Sequence, residues 1–174
     1  FDVVPSDCLA KHLSERLPGA TSLTLAFYGL GGISHGTQKT MTMNVGKGGA
    51  VRRDGAIVEV PTAYKTKDIN FGEFTKTGVT IPWGDVATAF YSTGIPNIEV
   101  YTIVPPPQMK LLKLSRYLGW LLAAGPVQNL LLSRIPEGGP SDSARAKGRT
   151  HLWGQATDAA GNSVESTQQG AEGY

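Results

Sequence analysis

The stretch VTIPWGDVATAFYSTGIPNIEVYTIV, residues 79–104, decides the fold. Its apolar ends read as strands over residues 79–81 and 95–104, and Asp85 can cap a short helix between them that runs toward Tyr91. The middle holds Trp83, Asp85, Tyr91, Ser92, Thr93 and Asn97 among Gly84, Gly94 and Pro96. A plain connector would not need a tryptophan, an acid and several hydroxyls between turn residues, so this segment reads as a pocket wall.

Toward the N-terminus, Asp54-Gly55 separates Val51-Arg52-Arg53 from residues 56–60 and is the strongest hairpin signal in the chain. Residues 65–77 show no clear period and read as loop, with a short strand as the alternative within them. Leu23, Leu25 and Phe27 alternate with Thr24, Ala26 and Tyr28, as in a strand with one strongly apolar face. Ahead of it, Leu9, Leu13 and Leu17 share one face of a helix over residues 7–17, capped by Ser6 and ended by Pro18-Gly19. A second helix is expected over residues 37–45, capped by Ser34. Toward the C-terminus, Pro105-Pro106-Pro107 opens a helix to about residue 124, Gly125-Pro126 breaks it, and residues 127–134 form another. A short helix near residues 143–147 and strands over 149–157 and 163–168 complete the pattern.

The expected fold class is therefore α/β (α+β), a mixed and largely antiparallel sheet covered by helices. Twenty-two glycines and eleven prolines in 174 residues, of which 40% are apolar and 17% charged, favour it over a helical bundle. Sixteen basic and fourteen acidic residues leave a net charge of +2, too balanced to point to a nucleic-acid partner. One cysteine excludes an internal disulfide, and the default setting is cytoplasmic and reducing. The chain opens on Phe1 with no visible leader, and both ends look cut from something longer.

Gly29-Leu30-Gly31-Gly32-Ile33-Ser34 imitates a dinucleotide-binding turn, but Ser34 replaces the third glycine. Arg52 and Arg53 stand where an acid would be expected, and the order strand, helix, hairpin does not suit the motif. A glycine-rich structural or substrate loop is the better reading. His12, His35 and His151 have no metal-ligand spacing, so no metal site is expected. His12 reads as structural, and His35 is the histidine to test as an acid or base. Cys8 reads as a small buried residue. Nucleophile-elbow, Walker and zinc-protease motifs are absent from the sequence.

Residues 100–136 contain no Asp or Glu but hold Lys110, Lys113, Arg116 and Arg134. Lys110, Lys113 and Arg116 share a helix side with Tyr117 and Trp120, while Leu111, Leu114, Leu118, Leu121 and Leu122 take the other. Such a helix can lie on a membrane or cover a lipid-like substrate, or it can pack on a sheet with its basic edge solvated. Its cations and Gly125-Pro126 prevent it from spanning a bilayer.

FDVVPSD (1–7), GGISHGT (31–37), VRRDG (51–55), TIPWGDV (80–86), STGIPNIEVY (92–101) and GRTHLWG (148–154) occur in that order. Together they resemble the C-terminal part of the bacterial saccharopine dehydrogenase-like proteins, relatives of the trans-acting enoyl reductases, over nearly the whole chain. The resemblance implies a substrate-binding and dimerisation domain that lacks the Rossmann domain of its parent. Residues 1–17 would connect from the nucleotide domain, 18–168 would form the domain itself, and 169–174 would begin the return. It further implies that Asp2 and Pro5 sit near the nicotinamide of NAD or NADP bound by the full-length parent, with no cofactor on this fragment alone. Trp83, Asp85, Ser92, Thr93 and Asn97 would face the substrate. True saccharopine enzymes need several cations to hold substrate carboxylates. The wall here, with few cations unless Arg145 and Arg149 enter it, suits an acyl or otherwise less charged substrate.

The resulting expectation is a substrate domain of an NAD(P)-dependent oxidoreductase, inactive alone and homodimeric. Asp85 would be its polar anchor or proton relay, Trp83 and Tyr91 would pack the substrate, and Ser92, Thr93 and Asn97 would hydrogen-bond it. For Asp85, helix capping alone is the alternative. For the chain, the alternatives are a non-catalytic module sitting on membranes or other proteins, and a complete small enzyme using His35.

Overall fold

A computed structural model describes residues 3–29, 35–44, 46–138, 141 and 148–171. In chain order the elements are α1 (Val4–Arg16), β1 (Ala20–Gly29), α2 (His35–Asn44), β2 (Gly49–Arg53), β3 (Ala56–Val60), β4 (Thr66–Asn70), β5 (Thr75–Thr80), α3 (Asp85–Thr93), β6 (Asn97–Ile103), α4 (Pro106–Leu122), α5 (Gly125–Ser133), β7 (Arg149–Asp158) and β8 (Ser163–Ala171). All eight strands join one sheet in the order β3-β2-β6-β1-β7-β8, with the β4–β5 hairpin attached through β5 to β6. Among the described strands only β1 and β6 pair in parallel, with Leu25 opposite Val100; every other pairing is antiparallel. The mixed, largely antiparallel sheet expected from the sequence is the one observed.

Strand β6 forks the sheet. On the side away from β1 it pairs with β2 near its start, Arg52 opposite Ile98, and with β5 near its end, Val79 opposite Thr102. The β2–β3 turn places both Asp54 and Gly55 at positive φ (48° and 80°), the geometry of a type I′ hairpin. The alternation read in β1 sets the two faces. Leu23 and Leu25 pack with Leu9, Ala10 and Leu13 of α1 and Val86 and Ala89 of α3, while Ala26 joins Ile69, Phe71, Tyr101 and Trp153 on the other face. Helix α1 comes close to β7 because position 154 is glycine: a Cβ there would lie 2.6 Å from Leu13 Cδ1.

Several boundaries differ from the expectation. Helix α1 starts at Val4 without a side-chain cap, since Pro5 already fits a first turn and the Ser6 hydroxyl donates to Val3 O at 3.1 Å. Residues 66–70 form the short strand that the sequence left open beside a loop reading, because the β5 partner supplies a full ladder from Thr66–Val79 to Asn70–Thr75. Most leucines of α4 do not pack inward. Its inward stripe runs through half-buried Met109, Leu112 and Leu122 with Ser115 and Gly119, Arg116 donates to Thr62 O and Ala63 O, and Leu111, Leu114, Leu118 and Leu121 remain exposed. The glycine-rich turn over residues 30–34, the Ser34 cap, Arg145 and the expected helix near residues 143–147 lie outside the described residues.

Candidate functional site

Where the start of α3 meets the start of α1, the chain buries a carboxylate. Asp85 opens α3 with no exposed surface, and neither of its carboxylate oxygens reaches a hydrogen-bond partner. It does not cap the helix: Gly84 is the N-cap residue, and there is no side-chain cap bond. The capping alternative is thus overturned, because Asp85 has turned inward with the first helical residue instead of standing outside it. Gly84 permits the close approach, since a Cβ there would lie 2.8 Å from Val3 Cγ1. Burial pushes the Asp85 carboxyl up from 3.8 to about 6. The nearby Ser6 hydroxyl and its own N–H pull it down in part, without reaching hydrogen-bond geometry, and the charge of Asp7 pushes it up further. A carboxyl in that range holds and releases a proton near neutral pH.

The neighbouring side chains of the 79–104 stretch mostly have structural partners. Trp83 lies against Phe27 with ring centroids 5.0 Å apart, beside the α1–α3 core. The Ser92 hydroxyl donates to Asp7 Oδ1 at 2.6 Å, with Thr88 O at 3.0 Å as its other acceptor. Thr93 Oγ1 donates back to Ala89 O and accepts from the Ile95 N–H, closing α3. Asn97 ties strands together, its Oδ1 accepting from Asp54 N and its Nδ2 donating to Thr21 O. Tyr91 is 85% exposed. Asp85 and Ser92 both face α1, whereas Asn97 serves the β2–β3 turn and β1. Pro5 is exposed in the first turn of α1, and Asp2 lies outside the described residues.

His35 starts α2, whose ring Nδ1 lies 2.7 Å from Pro136 O, and α2 packs on α5. His12 and Cys8 are exposed on α1, not buried. With Asp7, Lys11, Glu15 and Ser92 they line an open depression of about 460 Å³. The apolar stripe of α1 is fully used by Leu9, Ala10 and Leu13, which turns positions 8 and 12 outward.

The other sheet face holds a polar network that sequence reasoning missed. Lys65 pairs with Glu99 at 2.5 Å, and Tyr101 donates to the same carboxylate at 2.7 Å. Lys67 donates to Gln155 Oε1 at 2.7 Å with its ammonium 5.0 Å from the centre of the Trp153 ring, and Gln155 donates to Glu165. Burial lowers the Lys67 pKa, against the raising charges of Glu165 and Glu99. Burial, and secondly the bond to Glu99, hold the Tyr101 phenol above its ordinary range. Tyr28, Phe71, Phe74 and His151 form an aromatic cluster on the same face. The only sequence signal was the alternation of Lys65 and Lys67 with Thr66 and Asp68, which is weak without knowledge of the β5 partner.

Among the described residues the surroundings of α2 do not have the topology of a Rossmann nucleotide-binding unit. A nucleotide-binding turn needs a parallel strand, helix, strand unit, but β2 after α2 pairs antiparallel with β6 and does not neighbour β1. Among the described residues no group of His, Cys, Asp and Glu could hold a metal ion.

No protein-family model matches the chain, and no curated protein matches it. Among solved structures the chain is similar to apo saccharopine dehydrogenase (L-Glu forming) from Saccharomyces cerevisiae, at a TM-score of 0.48 and 10% sequence identity. The similarity covers 99% of this chain and 58% of that one, a distant likeness of fold.

Proposed function

We propose that this chain is the substrate-side domain of an NAD(P)-dependent oxidoreductase of the saccharopine dehydrogenase-like type, acting on an acyl or amino-acid-derived substrate. The observation that carries the reading is Asp85: a buried carboxyl with no hydrogen-bond partner, held near 6, against the first turn of the helix that would lead in from a nucleotide domain. The ordered sequence motifs support it. In this reading Asp85 is largely ionised at neutral pH but close enough to its titration range to take up a proton, and it exchanges that proton by way of Ser6 when substrate occupies the junction. Trp83 holds α3 against β1 so that the carboxyl cannot swing to solvent. Hydride chemistry in this reading belongs to a nucleotide-binding domain, a division supported by the antiparallel pairing of β2 where a Rossmann unit would need a parallel strand. A second copy would add along β8, which among the described strands pairs only with β7.

The test is made on the polypeptide that joins this chain to a nucleotide-binding domain. NAD(P)H consumption with enoyl-thioester and amino-acid-derived carbonyl substrates should fall at least tenfold in kcat for Asp85→Asn, with folding intact. Unchanged turnover would remove Asp85 from the chemistry. A parent reading frame without a strand, G-x-G-x-x-G and helix would remove the oxidoreductase reading itself.

A further inference from the structure

Apolar exposure in this molecule is concentrated in one place. Of the twelve large apolar side chains exposed among the described residues, nine lie on α2, α4 and α5. Trp120 is 76% exposed, Tyr117 75% and Leu111 66%, with Leu114, Leu118 and Leu121 beside them. The backbone geometry forces this outward display. A Cβ on Gly46 would lie 2.4 Å from Gly119 O and one on Gly119 3.0 Å from Gly46 O, so α4 meets the turn after α2 through backbone alone. Arg116 fixes the same inner side to Thr62 O and Ala63 O, and Gln128 of α5 donates to Met43 O of α2. Met109, Leu112 and Leu122 are half-buried on that inner side, and the other large apolar residues of α4 are left on the outer side.

Charge selects the partner. Residues 35–48 and 106–134 carry no Asp or Glu and six Lys or Arg, of which Arg116 is engaged on the inner side and Lys39, Lys47, Lys110, Lys113 and Arg134 are exposed, although the whole chain is nearly balanced at sixteen to fourteen. A symmetric contact between two copies would set these cations against one another without a counter-charge. A soluble polyanion would neutralise them but leave the leucines and Trp120 in water. An anionic bilayer satisfies both requirements, with headgroups for Lys110 and Lys113 and the acyl boundary for the leucines and interfacial aromatics. Among the described residues no helix is long and apolar enough to cross a membrane, so the element would lie in the interface plane.

We propose that the outer face of α2, α4 and α5 docks this protein on anionic lipid surfaces, independently of the oxidoreductase reading. The test is co-sedimentation of the chain with vesicles of phosphatidylcholine alone and of equal parts phosphatidylcholine and phosphatidylserine. Binding is expected only to the second and should fade with added salt. Lys110→Glu with Lys113→Glu should weaken it by at least about 30-fold. Trp120→Ser should also weaken it with an unchanged circular dichroism spectrum. Tryptophan emission should shift to the blue on binding, and the shift should vanish in Trp120→Phe. Equal binding to both vesicle types, no binding, or insensitivity to the charge reversal each overturns the proposal. So does a dimer that the same double variant dissociates, because the face would then join two copies.

Discussion

Asp85 makes folding stability depend on pH in a direction opposite to that of most carboxylates. In the unfolded chain its carboxyl titrates near 3.8, and burial raises it to about 6 in the folded protein. Between those values the folded state holds a proton that the unfolded state has lost, so stability falls as pH rises. The contribution is fully present below about 3.8 and is lost as pH passes through about 6. The difference corresponds to about 3 kcal/mol. Other carboxylates also titrate, so the informative quantity is the difference between wild type and Asp85→Asn, in which their contributions cancel. Urea unfolding of both from about pH 3.5 to about pH 7.5 should show the variant gaining about 3 kcal/mol relative to wild type across that range. A difference that stays flat to within about 0.5 kcal/mol would falsify the claim that Asp85 is buried without a partner.

Other expectations are read on the same unfolding curves. Leu13→Ala opens the α1–sheet core, where Leu13 is fully buried, and should cost about 2–5 kcal/mol. Gly154→Val places side-chain atoms where a Cβ alone already comes within 2.6 Å of Leu13 Cδ1, and a loss of about 1–3 kcal/mol is expected. Ser92→Ala removes the donor to Asp7 and should lower stability by about 1–2 kcal/mol, a loss that shrinks when Asp7 is already Ala.

Much of the fold was legible because it rests on short-range pattern. The alternation in residues 22–28 named the two sheet faces, Asp54-Gly55 fixed the β2–β3 hairpin, and the 79–104 stretch gave strand, helix and strand. What could not be read depends on partners distant in sequence. Strand β4 looks aperiodic because only Ile69 is buried in it, and its order comes from β5. The network over Trp153 joins Lys67, Gln155 and Glu165 from three strands, and no local spacing connects them. The outward leucines of α4 were readable as an apolar stripe, but a stripe does not say whether anything covers it.

The site residues divide on the same principle. Ser92, Thr93 and Asn97 drew attention as hydroxyls and an amide in a turn-rich segment, and each is satisfied within the fold, by the Asp7 carboxylate, Ala89 O and Thr21 O respectively. Asp85 differs in kind. A negative charge in the first turn of a helix gains about 0.3–1 kcal/mol from the dipole, which does not offset the roughly 3 kcal/mol that its burial costs above pH 6. An asparagine would fill the same space without that penalty, and an exposed aspartate would keep the dipole gain. Neither packing nor capping accounts for a carboxyl at this position, whereas the proton-exchange role proposed for Asp85 would be served by its burial and missing partners.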